Sequence, residues 1–180
     1  IAPIFLKDGL DKGGLALSNE HYGLIYGTAG TIAFILGSIL SGYYISHFGL
    51  KKTLFSLVCI FNIPFAVYLL LAIFQPSNLW WIGTGIVFEY FSYGFGFVGI
   101  TLFMMQQIAP GKYQMAHYAF ANSLMNLSVM VPGMISGKLA TAFGYQTFFI
   151  IVLLVTLPAI IMAIRLPFAH AVEAKKSDSK

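Results

Sequence analysis

Apolar residues fill this chain in long runs, and its polar residues gather in short breaks between them. The apolar runs cover about residues 21–46, 53–74, 79–107, 116–143 and 146–167. Roughly 20 predominantly apolar residues cross the hydrocarbon core of a bilayer, so each run predicts a transmembrane helix. Residues 1–6 read as the stub of a further span, truncated at its start, and residues 7–20 as a polar, Gly-rich loop. Residues 1–168 are thus expected to form one transmembrane unit, and 169–180 a short polar tail. The fold class expected is an all-α membrane protein, a polytopic helical bundle.

Polar and small residues inside the runs distinguish one span from another. The run 21–46 contains Gly23, Gly27, Gly30, Ala33, Gly37, Ser41 and Gly42 at three- and four-residue spacings. Such spacings let helices approach closely in lipid, which predicts a central, packed span. The run 53–74 carries Asn62 and Pro64, and its Leu/Phe/Val-rich faces are expected to meet lipid. The run 79–107 holds one ionisable residue, Glu89, about ten residues in and therefore near the midplane at about 1.5 Å per residue. A carboxylate there is costly unless it faces protein or water, or is protonated, and so marks a functional site by default. Helical spacing places Gly85, Glu89, Ser92, Tyr93 and Gly96 on one face. In the run 116–143, Tyr118, Asn122, Asn126 and Gly133 share a face. Amides there suit a hydroxylated or amide-bearing ligand, or they tie helices together.

Composition narrows the picture. With 58% hydrophobic and 9% charged residues and a mean hydropathy of +0.83, the chain is far from a soluble domain, where about a quarter of residues are charged. The net charge of +4 does not point to nucleic acid, because the basic residues lie at span ends. Lys51, Lys52, Lys112, Arg165, Lys175, Lys176 and Lys180 fall on one side, and Lys7, Lys12 and Lys138 on the other. The positive-inside bias makes the first side cytoplasmic, so the C-terminus is expected inside. Cys59 is a lone thiol in an apolar run, and His21, His47, His117 and His170 share no pair of turns, so neither a disulfide nor a metal site is expected. No cofactor is expected either. Gly94-Phe95-Gly96-Phe97-Val98-Gly99 matches a dinucleotide fingerprint, but that motif needs a preceding strand, and close helix packing is the better reading.

The loop after the first complete span carries Gly42-x-x-x-Ser46-His47-x-Gly49-x-Lys51-Lys52. This resembles the major facilitator signature G-x-x-x-D-R-x-G-x-R/K-R/K, with Ser46 and His47 in place of the usual Asp and Arg. Gly137 to Phe148 is similar to the end of the eleventh span in that superfamily. The resemblance implies a major facilitator bundle, here its C-terminal six-span half, and gives Gly42, Gly49, Lys51 and Lys52 the place of the gating loop. Within the superfamily, residues 21–160 are similar to AmpG-type muropeptide permeases, relatives of the acetyl-CoA transporters. Phe88-Glu89 with Gly94 and Gly96 resembles that family's Phe-Glu-Asn-x-x-Gly-Gly-Met-Gly stretch. Where its bacterial type carries Asn-Lys, this chain has Tyr26-Gly27.

The resemblance implies a secondary active transporter in the cytoplasmic (inner) membrane, working with the N-terminal half of the same protein. Proton-coupled uptake of amino-sugar or muropeptide products of wall turnover is the function expected. Glu89 is expected to couple protons, and Tyr26, Tyr93, Asn122 and Asn126 to meet the substrate. Alternatives are proton-coupled transport of another small organic solute (a sugar, nucleoside or acyl-CoA-like molecule), a membrane-embedded transferase, or a structural subunit. A transferase would want a His/Asp pair or an acid-bearing basic loop at one membrane face, and the long loop 7–20 has no His.

Overall fold

The computed structural model describes residues 1–166 and 168, and every described element is helical. The expected tail 169–180, with His170, Lys175, Lys176 and Lys180, lies outside the described residues, as does Pro167 at the end of the expected last span. A short helix α1 (Ala2–Lys7) leads through a loop with one 3₁₀ turn (Leu10–Lys12) into α2 (Asn19–Phe48). Then follow α3 (Leu50–Phe74), α4 (Leu79–Ile108) and α5 (Gln114–Arg165). Each of α2 to α5 is long and apolar enough to cross a membrane.

Local chemistry explains where the helices begin and break. Ser18 caps α2 by accepting from the His21 amide at 3.2 Å, and Asn78 caps α4 by accepting from the Trp80 amide at 3.0 Å. Each cap satisfies one of the donors left free in a helix's first turn. Between α2 and α3 the chain turns at Gly49 (φ 80°, ψ 146°), and α5 breaks at Gly144 (φ 78°, ψ 159°). Both conformations lie in a region essentially reserved for glycine. A straight 52-residue helix would run about 78 Å at 1.5 Å per residue, far beyond a bilayer. The break at Gly144 divides it into two arms, 114–143 and 145–165, where two separate spans were expected.

The bundle is built around α4, which packs on α2 along one side and α3 along another. At the α2 crossing, a Cβ on Gly37 would run into the Phe91 carbonyl oxygen, and one on Gly94 into the Phe34 carbonyl oxygen. Ser38 Oγ reaches across to the Gly94 carbonyl at 3.3 Å. On the α3 side, a Cβ on Gly96 would lie 2.5 Å from Phe61 Cβ, and one on Gly99 2.6 Å from Leu57 Cδ1. The glycines of Gly94-Phe95-Gly96-Phe97-Val98-Gly99 therefore serve two partners, one on each side. In lipid, where apolar contact with a helix is no better than with a tail, such close approach is what holds helices together.

Two expectations need correcting. Of the small residues in α2, only the middle set faces α4: Gly30, Ala33, Gly37 and Ser41 are buried, while Gly23, Gly27 and Gly42 meet open space. And α3 is not a lipid-facing helix throughout. Its Leu54, Leu57, Pro64, Tyr68, Leu71 and Ala72 are buried, because the stripe they form is the one α4 presses against.

At one end, α1 and its loop close the bundle. Phe5 and Leu6 are fully buried, with the Phe5 ring 5.0 Å from Tyr145 and 5.2 Å from Phe149. The loop returns along α1, with Leu15 N–H donating to the Phe5 carbonyl and Leu17 N–H to that of Leu6. Tyr145 donates to Asp8 at 2.5 Å, Gln146 to the Ala72 carbonyl at 3.1 Å, and Gln75 to the Gly14 carbonyl at 3.4 Å. Three chain connections are tied together there.

Candidate functional site: a tyrosine-lined cavity at Glu89

Glu89 lies ten residues into α4, partly buried, with its carboxylate turned toward two adjoining cavities. The smaller, about 210 Å³, is lined by Tyr26, Glu89, Tyr90 and Tyr93. The larger, about 660 Å³, shares Tyr26 and Glu89 and is walled by residues of α1, α3 and α5, among them Pro3, Phe65, Tyr68, Leu139, Phe148 and Val152. Its walls are almost wholly apolar. Tyr68 of α3, only 5% exposed, donates its hydroxyl to Glu89 Oε2. The acid is thereby held by a hydrogen bond in surroundings that offer little water, the condition under which an intramembrane acid can persist.

The geometry of α2 brings its tyrosines to the acid. Residues Gly23–Ala29 form a π-helical segment, whose wider turn is a frequent feature of functional sites. The Tyr22 and Tyr26 rings stack with centroids 4.8 Å apart, and Tyr26 meets Tyr90 edge-on, also at 4.8 Å. Lys7 Nζ sits 4.8 Å from the Tyr22 centroid. Tyr93, 45% exposed, stands against Phe34 and Phe61 at 5.8 and 5.3 Å. A row of rings thus runs from Lys7 to Glu89.

The expected site residues divide. Tyr26, Glu89 and Tyr93 come together in the smaller cavity. Asn122 and Asn126 do not join them: the Asn126 amide donates back to the Asn122 carbonyl at 2.8 Å. The first arm of α5 instead reaches the Glu89 cavity through Val129, Pro132, Gly133 and Ser136, one or more turns further along. The stripe Gly85, Ser92 and Gly96 faces α3 rather than the cavity, and Ser92 Oγ is buried without a hydrogen-bond partner among the described residues. Gly42, Gly49, Lys51 and Lys52 line neither cavity. Gly49 makes the α2–α3 turn, both lysines are exposed, and Lys51 borders a separate hollow with Ala163, Ile164 and Leu166 of the C-terminal stretch.

Sequence reasoning missed Tyr68 and Tyr90. Tyr68 carries a hydroxyl in an otherwise apolar span, the same anomaly that marked Glu89. Tyr90 lies about 100° around the helix from Glu89, off the stripe that helical spacing draws through the acid, yet it lines the same cavity.

Four helices of membrane-spanning length, packed around a cavity that holds a carboxylate, define a multi-pass membrane protein. Residues 2–180 match the family described as the Major Facilitator Superfamily, and the chain belongs to it. Among curated proteins it is similar to one from Rickettsia felis named "Putative transporter AmpG 1", 26% identical over 142 residues, 76% of this chain and 31% of that protein. The protein of the same name from Rickettsia conorii is 24% identical over 143 residues, 76% of this chain and 32% of its own. The chain spans about a third of the length of these relatives. No solved structure matches it. Membership of the superfamily, with its helices of membrane-spanning length, sets the chain in a lipid bilayer.

Proposed function

We propose that the chain is the C-terminal half of a secondary active transporter in which Glu89 carries the coupling proton. The observation behind this is the position of Glu89 in the wall shared by two cavities, with Tyr68 donating to it. An acid so placed can exchange protons with whichever side the cavity opens to, while the rest of the bundle stays sealed by its glycine crossings. Amino-sugar or muropeptide products of wall turnover are the substrates we assign, on the likeness to AmpG-type permeases. Tyr26 and Tyr93 supply ring faces and hydroxyls for them. Asn122 and Asn126 meet the substrate from the exposed face of α5, across from an N-terminal half whose presence the greater length of the relatives supports. The protein resides in the cytoplasmic membrane with its basic loops and C-terminus inside, following the lysine distribution.

The test is proton movement. Full-length protein in proteoliposomes, loaded with a pH-sensitive dye, should show a solute-dependent change in internal pH on addition of purified muropeptides. Glu89→Gln should abolish that change with the protein still inserted. A wild-type response in the variant would remove Glu89 from the coupling mechanism.

A further inference from the structure

Most of the ring area around Glu89 is more than a proton site needs. Three tyrosines and one carboxylate enclose the smaller cavity of about 210 Å³. Among the described residues, no Lys, Arg or His side chain lines either it or the larger cavity. Aromatic faces carry negative charge density and attract cations, ammonium groups above all. A carboxylate beside them adds a full negative charge. The chain already shows the preference: Lys7 places its ammonium over Tyr22, whose ring stacks on Tyr26, one wall of the same cavity.

We propose that the tyrosine cavity binds a protonated or quaternary amine of the transported solute, seated on the rings of Tyr26, Tyr90 and Tyr93 against the Glu89 carboxylate. This rests on the transport reading and names the chemical group its solute presents. It also bears on coupling. One carboxylate cannot hold a proton and pair with an ammonium at once, so arrival of the cation expels the proton to the water in contact with the cavity. At this site solute and proton replace each other, in place of the joint inward passage that the family resemblance implies. The other titratable side chains facing Glu89 are Tyr68 from α3, Tyr22 and Tyr26 from α2, and Tyr90 and Tyr93 from α4. Glu89 is the carboxylate among them, the group that can pair with a cation.

The probe is tetramethylammonium, which has no proton of its own, with tert-butanol as a neutral molecule of similar shape. Both are titrated into the purified full-length protein in detergent, at weakly buffered acidic pH, following heat and released protons. Tetramethylammonium should bind with release of about one proton, and tert-butanol should do neither. Glu89→Gln should abolish the proton release, and Tyr26→Leu should weaken binding about tenfold, while Tyr26→Phe, which keeps the ring face, should weaken it clearly less. Should Tyr26→Leu fail to fold, Tyr93→Leu and Tyr93→Phe give the same comparison at a more exposed ring. Equal binding of the two probes, absence of proton release, or equal loss in the Leu and Phe variants would overturn the proposal. Failure here with muropeptide-driven pH changes intact would discard only the cation. Proton-releasing binding without any solute-driven pH change would discard the transport reading instead.

Discussion

The crossing of α2 and α4 makes a quantitative prediction from two glycines on one helix. A Cβ at Gly37 would strike the Phe91 carbonyl oxygen and lie 3.0 Å from its carbon and 3.1 Å from the Phe95 nitrogen. All three are backbone atoms, so relief requires moving a helix. Gly42, five residues on, meets nothing within 4 Å. Replacing a helical glycine by alanine gains about 0.8–1.0 kcal/mol of backbone preference where space allows. Overpacking costs about 1–3 kcal/mol, and more when rigid groups must shift. Gly42→Ala should therefore be neutral or stabilising by up to about 1 kcal/mol, and Gly37→Ala destabilising by about 1–2 kcal/mol. Gly94 sits at the same crossing, its Cβ directed at the Phe34 carbonyl. Once the helices have parted for one methyl the second meets less resistance, so the double variant Gly37→Ala/Gly94→Ala should lose less than the two single losses combined. The assay is unfolding of the full-length protein in mixed detergent micelles by titration with SDS, reading the free energy of each variant. Equal effects at Gly37 and Gly42, or strict additivity at Gly37 and Gly94, would refute the crossing.

Other consequences follow. Tyr68→Phe removes the donor to Glu89 but keeps the ring stacked on Phe149 at 5.5 Å. A hydrogen bond to a charged group is worth about 1.5–3 kcal/mol, so proton-coupled transport in proteoliposomes should fall at least about tenfold, and unchanged transport would free Glu89 from this partner. Gly144→Ala forces a side chain into the conformation at φ 78° and should cost about 1–3 kcal/mol in the same SDS titration, whereas Gly133→Ala, with nothing within 4 Å of its Cβ, should not. Cysteines placed at the exposed Asn78 and Lys51, with Cys59 first replaced by serine, should respectively label and resist an impermeant thiol reagent outside intact cells. The reverse pattern would invert the membrane orientation.

Hydropathy alone determined that this is a multi-span helical protein, since crossing hydrocarbon demands long apolar runs with internally satisfied backbones. It also singled out Glu89, because a charge in such a run is a rarity visible without any neighbour. The motif around Gly49, Lys51 and Lys52 was enough to indicate the superfamily. What the tertiary structure decided is which face of each helix meets which partner. A sequence pattern read at 3.6 residues per turn treats each helix alone, whereas rotation and register between helices are set by contacts such as Gly37 with Phe91, residues far apart in the chain. That is why the small residues of α2 split into a packed set and an open set, and why Asn122 and Asn126 lie apart from the acid they seemed to face. The π-helical segment around Tyr26 breaks the period itself, widening the turn that brings Tyr26 against Tyr90. Tyr68 was hidden for the same reason: its span is apolar enough to face lipid, and only the packing of α4 against it reveals that one hydroxyl is turned inward to hold Glu89.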